Sequence, residues 1–140
     1  MQDSITPEVK ALASRLMAYE AGTAKSTHAE KSVAFRVSDK LRQPLSRLTG
    51  VAGFRSLLSR ALALASSEVR WLKAVHINAD GSLEGLDEAQ AQLSQNEIAQ
   101  GEMVLVAQLI GLLVTFIGEG LTLRLLQEAW PDRVFDDMEV

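Results

Sequence analysis

The stretch "MVLVAQLIGLLVTFIGEG", Met103 to Gly120, decides how this chain is read. Such an apolar run either crosses a bilayer or forms the centre of a helical protein. Its uninterrupted part, Met103 to Gly118, has 16 residues. As a helix this spans roughly 24 Å, short of a hydrocarbon layer of about 30 Å. Its flanks hold Glu102 and Glu119, with neither a basic cluster nor a belt of Trp and Tyr. Wound as a helix, Gln108, Gly111, Thr115, Glu119 and Thr122 fall on one narrow stripe, and the remaining arc is apolar. A lone span bathed in lipid gains nothing from that stripe, whereas a bundle helix uses small residues for close backbone approach. The expectation is no membrane span, and a helix covered on most sides by protein.

Working outward, Ser94 and Glu97 form a capping box, and no proline intervenes before Pro131. One long helix, or two collinear ones, is expected from about Gln95 to Trp130. Upstream, Thr6-Pro7-Glu8 opens a first helix carrying Val9, Leu12, Leu16 and Tyr19, with Gly22 as its stop. Thr27 and Glu30 cap a second through Val33, Val37 and Leu41, which Pro44 should end or kink, leaving one further turn closed by Gly50. A third, from about Val51 to Val75, sets Phe54, Leu58, Ala61 and Ala65 against a face of Arg55, Ser59, Ser66, Arg70 and Lys73. Asp80-Gly81 and Gly85 signal a loop or hairpin near residues 76–87. The expected fold is all-α: a bundle of about four helices with a long, largely buried C-terminal helix. Length predicts a single domain, 1–140, with an acidic tail, 132–140, expected to fray.

A helix apolar over most of its circumference needs cover, yet the first helix is short and the second is interrupted. A second copy of the chain is the economical remedy. The expectation is a homodimer whose helix-packing or interface residues include Leu109, Leu112, Gly111, Thr115 and Glu119. A self-sufficient four-helix monomer is the competing arrangement.

Composition narrows the chemistry. The chain has no Cys, which removes disulfides, thiolate zinc sites and cysteine nucleophiles, and suits a reducing cytoplasm. The start, "MQDSITPEVK", lacks the charged segment and apolar run of a secretory signal, so a cytoplasmic protein beginning there is expected. The net charge of −4 conceals a basic segment, 25–73, at +7 and an acidic one, 74–140, at −10, with −1 from the first 24 residues. Within the basic segment Lys40, Arg42, Arg47 and Arg55 are the candidates for gripping nucleic acid, although interleaved aromatics are few. The halves attracting each other, within a fold or across a dimer, is the favoured account of the asymmetry.

The stretch "HINADGSLEGLD", His76 to Asp87, resembles the EF-hand calcium loop at Asn78, Asp80, Gly81, Leu83, Glu84 and Asp87. It departs where His76 replaces the first carboxylate and Asp87 replaces the bidentate Glu. Asn78, Asp80, Glu84 and Asp87 are therefore weak metal candidates, and a structural turn is the favoured interpretation. With His28 and His76 alone, no multi-histidine site forms within one chain, and neither a nucleophile elbow nor a phosphate loop is present. No catalytic residue and no cofactor are expected. Glu119, between two glycines in an apolar helix, is the ionisable group to watch: a structural ion pair or an acid/base or ligand-binding group in a helical cleft. The expected function is a small, non-enzymatic interaction or regulatory protein. Its alternatives are a nucleic-acid-binding regulator and a small-molecule site at Glu119.

Overall fold

A computed structural model describes residues 6–21 and 32–131 of the chain. The capping pair Thr27 and Glu30, the stop at Gly22, His28 and the acidic tail lie outside these residues. Helix α1 (Pro7–Ala21) starts where the Thr6 hydroxyl accepts from the Val9 N–H at 3.1 Å. It buries Val9, Leu12, Ala13 and Leu16, and Glu20 on the same face. Helix α2 (Val33–Glu68) starts at Ser32, whose hydroxyl accepts from the Phe35 N–H. A 3-10 turn, Arg70–Ala74, leads into the hairpin strands β1 (His76–Ile77) and β2 (Leu83–Glu84). The short α3 (Leu86–Gln90) and the long α4 (Gln95–Ile117) follow, then α5 (Glu119–Ala129). At α4 both halves of the Ser94–Glu97 capping box form. The architecture is the expected all-α bundle, with a two-stranded hairpin as its only sheet among the described residues.

The helix boundaries differ from the sequence expectation at Pro44 and meet it at Gly50. Helical geometry runs through Pro44, and the break in α2 falls at Gly50, with φ 82° and ψ 159°. An interior proline costs about 3 kcal/mol through its missing N–H and its ring. Burial of Leu41, Pro44 and Leu45 on the core side offsets that cost. Of the arrangements expected between Gln95 and Trp130, one helix or two, the chain has two: Gly118, with φ 91° and ψ 161°, separates α4 from α5. Both glycines occupy a backbone region open almost only to glycine. Open space surrounds the position of a Cβ at each, so the backbone conformation, not crowding, demands the residue.

One core runs through the molecule. Leu12 and Leu16 of α1, Leu41, Phe54 and Leu58 of α2, Leu109, Ile110 and Leu113 of α4 and Leu126 of α5 are fully or almost fully buried in it. Helix α4 packs chiefly on α2 and also on α1. It is long and apolar enough to cross a membrane by length and composition, yet most of its apolar window is buried by its own chain. The N-terminal turns of α4 are pinned by a close approach: a Cβ at Gly101 would lie 2.4 Å from the Trp71 ring, whose Nε1 donates to the Glu97 carbonyl.

Candidate interaction surface

The expected stripe on the C-terminal helix does not behave as one unit. Gln108 and Gly111 are buried within the chain, Thr115 and Glu119 are exposed, and Thr122 is buried again with its hydroxyl donating to the Gly118 carbonyl. Leu109 is 2% exposed and Leu112 is half-buried. Leu109 and Gly111 are thus packing residues of the chain's own core, which leaves Leu112, Thr115 and Glu119 accessible to anything else. Glu119 was expected inside an apolar helix. Because the helix breaks one residue before it, Glu119 becomes the first residue of α5 and faces solvent.

What α4 does expose is its C-terminal end. Phe116 is 69% exposed, followed by Val51 at 48% and Leu48 at 47%; these are the only large apolar side chains so exposed among the described residues. Each lies within two residues of a glycine break, Leu48 and Val51 around Gly50 and Phe116 before Gly118. The position follows from the backbone. A helix that must end at a glycine turns its last side chains beyond the helices that would cover them.

The four nucleic-acid candidates are mostly engaged inside the chain. Lys40 Nζ lies 2.9 Å from Glu20, Arg42 donates to Asp39 at 2.7 Å, and Arg47 pairs with Glu128. Arg55 alone of the four has no ion pair among the described residues, and like Arg60 it is exposed. The weak metal candidates belong to the hairpin. Asp80 Oδ1 accepts from the Ser82 N–H at 3.0 Å and its hydroxyl at 2.7 Å, bonds that hold the Asp80 carboxyl below its usual range. Asn78 donates to the Ser82 hydroxyl, while Glu84 and Asp87 point outward from β2 and the first turn of α3. Among the described residues no three His, Cys, Asp or Glu side chains converge as a metal cluster. The stretch that resembles an EF-hand loop is instead a β-hairpin, with Ile77 opposite Leu83.

Two buried carboxylates escaped the sequence analysis. Glu20 and Glu102 are 2% and 4% exposed. The signal was there: Glu20 continues the Val9, Leu12, Leu16 face, and Glu102 precedes Leu105, Leu109 and Leu113 at the same helical spacing. Glu102 accepts from Gln90 Nε2 at 2.5 Å. Burial raises its pKa, and bonds from Gln90, the Ala34 backbone and Ser32, with the charge of Arg36, pull it partway back. A carboxyl whose folded pKa is raised stabilises the fold below its unfolded pKa, and that contribution is lost as pH rises through the folded value. Glu102→Gln is therefore expected to stabilise the protein at neutral pH, with the gain disappearing in acid below about pH 4. Urea midpoints across that range check it; a gain that persists undiminished into acid refutes the assignment.

No protein-family model, curated protein or solved structure matches this chain.

Proposed function

We propose that this protein is a non-enzymatic helical interaction module that self-associates through the exposed end of α4. The observation that carries the proposal is Phe116. The most apolar helix of the chain is buried or half-buried in its own fold from Gly101 to Val114, and in the turn beyond a Phe stands 69% exposed beside half-buried Ile117. Aromatic anchors of this kind supply much of the binding energy where proteins meet. The surface available is Phe116 with Leu112, Thr115 and Glu119, a smaller set than the long apolar arc the sequence suggested.

Light scattering is expected to give about twice the chain mass of 15.2 kDa. Phe116→Asp should weaken self-association at least tenfold, a loss of about 1.4 kcal/mol or more, while leaving the melting temperature of the separated chain nearly unchanged. A monodisperse wild-type monomer at high concentration would sink the proposal. A nucleic-acid role has one specific support, exposed Arg55 and Arg60 of α2, which have no ion pair among the described residues. It predicts salt-sensitive retention on DNA that Arg55→Glu abolishes.

A further inference from the structure

Residues 37–62 and 105–130 carry one pattern at a constant shift of 68 positions, that of Gly118 from Gly50. Leu41 matches Leu109, Leu45 matches Leu113, Leu57-Leu58 matches Leu125-Leu126, and Ala61 matches Ala129. Burial keeps the same register in the turns flanking each glycine, although 42–44 and 110–112 differ. Residues 45–49 and 113–117 both run buried, half-buried, exposed, exposed, half-buried. Residues 51–54 and 119–122 both run exposed, exposed, half-buried, buried. The backbone agrees, since the two glycines differ by only a few degrees in φ and ψ. Sequence, burial and backbone thus agree around the two glycines, which gives the chain two similar helix–glycine–helix segments. The repeat also explains how the apolar helix is covered, because α4 and α5 pack on α2, their own counterpart within the chain.

The exposed apolar residues therefore fall on the tips of two like units, Leu48 corresponding to Phe116. Their charges differ. Residues 47–60 carry Arg47, Arg55 and Arg60 with no acidic residue, and residues 115–128 carry Glu119 and Glu128 with Arg124. Within the chain, Arg47 of the first unit already pairs with Glu128 of the second. Arg55, Arg60, Glu119 and Arg124 have no ion pair among the described residues, and Arg55 and Glu119 lie nearest the tips in sequence. Two first tips brought together would set Arg55 against Arg55, a repulsion that disfavours the pairing. A first tip on a second tip sets Arg55 near Glu119 and lays Leu48 and Val51 on Phe116.

We infer that the two tips, residues 48–51 and 116–119, dock crosswise on a second copy of the chain, first tip on second tip, so that one two-fold axis generates both contacts. This arrangement rests on the self-association proposed above and adds to it a specific pairing. The absence of cysteine makes the pairing directly readable. Ala52→Cys and Gly120→Cys chains, which keep Leu48, Val51 and Phe116 and carry distinguishable tags, are mixed in equal amounts and treated with a short thiol cross-linker. Both positions are exposed, so neither change should disturb the fold, which circular dichroism checks. The expected product is the mixed 52–120 species, at least tenfold above 52–52 and 120–120. Arg55→Glu and Glu119→Arg should each weaken the dimer about threefold, and together restore it. Predominant 52–52 or 120–120 products from a dimeric protein overturn the crosswise pairing and leave self-association standing. A monomer by light scattering, with no cross-linked product, overturns both.

Discussion

Glu20→Ala is expected to lower the free energy of unfolding by about 3–5 kcal/mol, the range for breaking a buried ion pair. The carboxylate is 2% exposed and is shared by three partners from two other parts of the chain. Arg36 Nε lies 3.5 Å from one oxygen, Lys40 Nζ 2.9 Å from the other, and Trp130 Nε1 donates to that second oxygen at 3.1 Å. Lys40 also sits 5.5 Å from the Trp130 ring centroid, a cation–π contact. Removing the carboxylate takes the common acceptor from an Arg that is itself 7% exposed and from an indole that is 3% exposed. The cluster joins the end of α1 to α2 and to the residue that ends α5, so its loss should also loosen both terminal helices. Glu20→Gln keeps an acceptor for the indole and loses the charge, and should cost less than Glu20→Ala. Urea denaturation measures both; a loss below about 1 kcal/mol for Glu20→Ala would place the pair among weak surface bridges instead.

Leu109→Ala is expected to cost about 2–5 kcal/mol, the range for truncating a large aliphatic side chain in a core. Leu112→Ala, one turn away and half-buried, should cost about 1 kcal/mol or less. The contrast distinguishes burial by the chain itself from burial by a second copy. Leu109 is 2% exposed within a single chain, so its penalty should not change with protein concentration. A residue covered only by a partner would show a penalty that shrinks on dilution. Equal losses at 109 and 112, or a concentration-dependent loss at 109, would contradict the packing of α4.

The helical periodicity of Val9 to Leu16, Phe54 to Ala65 and Leu105 to Leu113 was legible in the sequence, because burial on one face imposes that spacing on any amphipathic helix. The caps at Thr6 and Ser94 were legible too, since a side-chain oxygen satisfies the N–H groups left free at a helix start. Of the residues expected to serve helix packing or an interface, Leu109 and Gly111 pack within the chain while Thr115 and Glu119 are exposed, and no local pattern marks Phe116. Its exposure depends on the break at Gly118, and a glycine within an apolar run carries no local sign of whether it continues a helix or ends it.

By itself the sequence determined the all-helical class, the positions of most helices, the stop at Gly50 and the turn at Asp80-Gly81, because periodicity, capping and turn chemistry act between residues a few positions apart. The tertiary structure decided that Pro44 stays inside a helix, that Gly118 divides the C-terminal one, that the turn at Asp80-Gly81 is a hairpin, that Glu20 and Glu102 are buried, and that Glu119 is not. These depend on partners as distant in sequence as Glu20 and Trp130, and the burial they provide is comparable to or larger than the local preference it overrides.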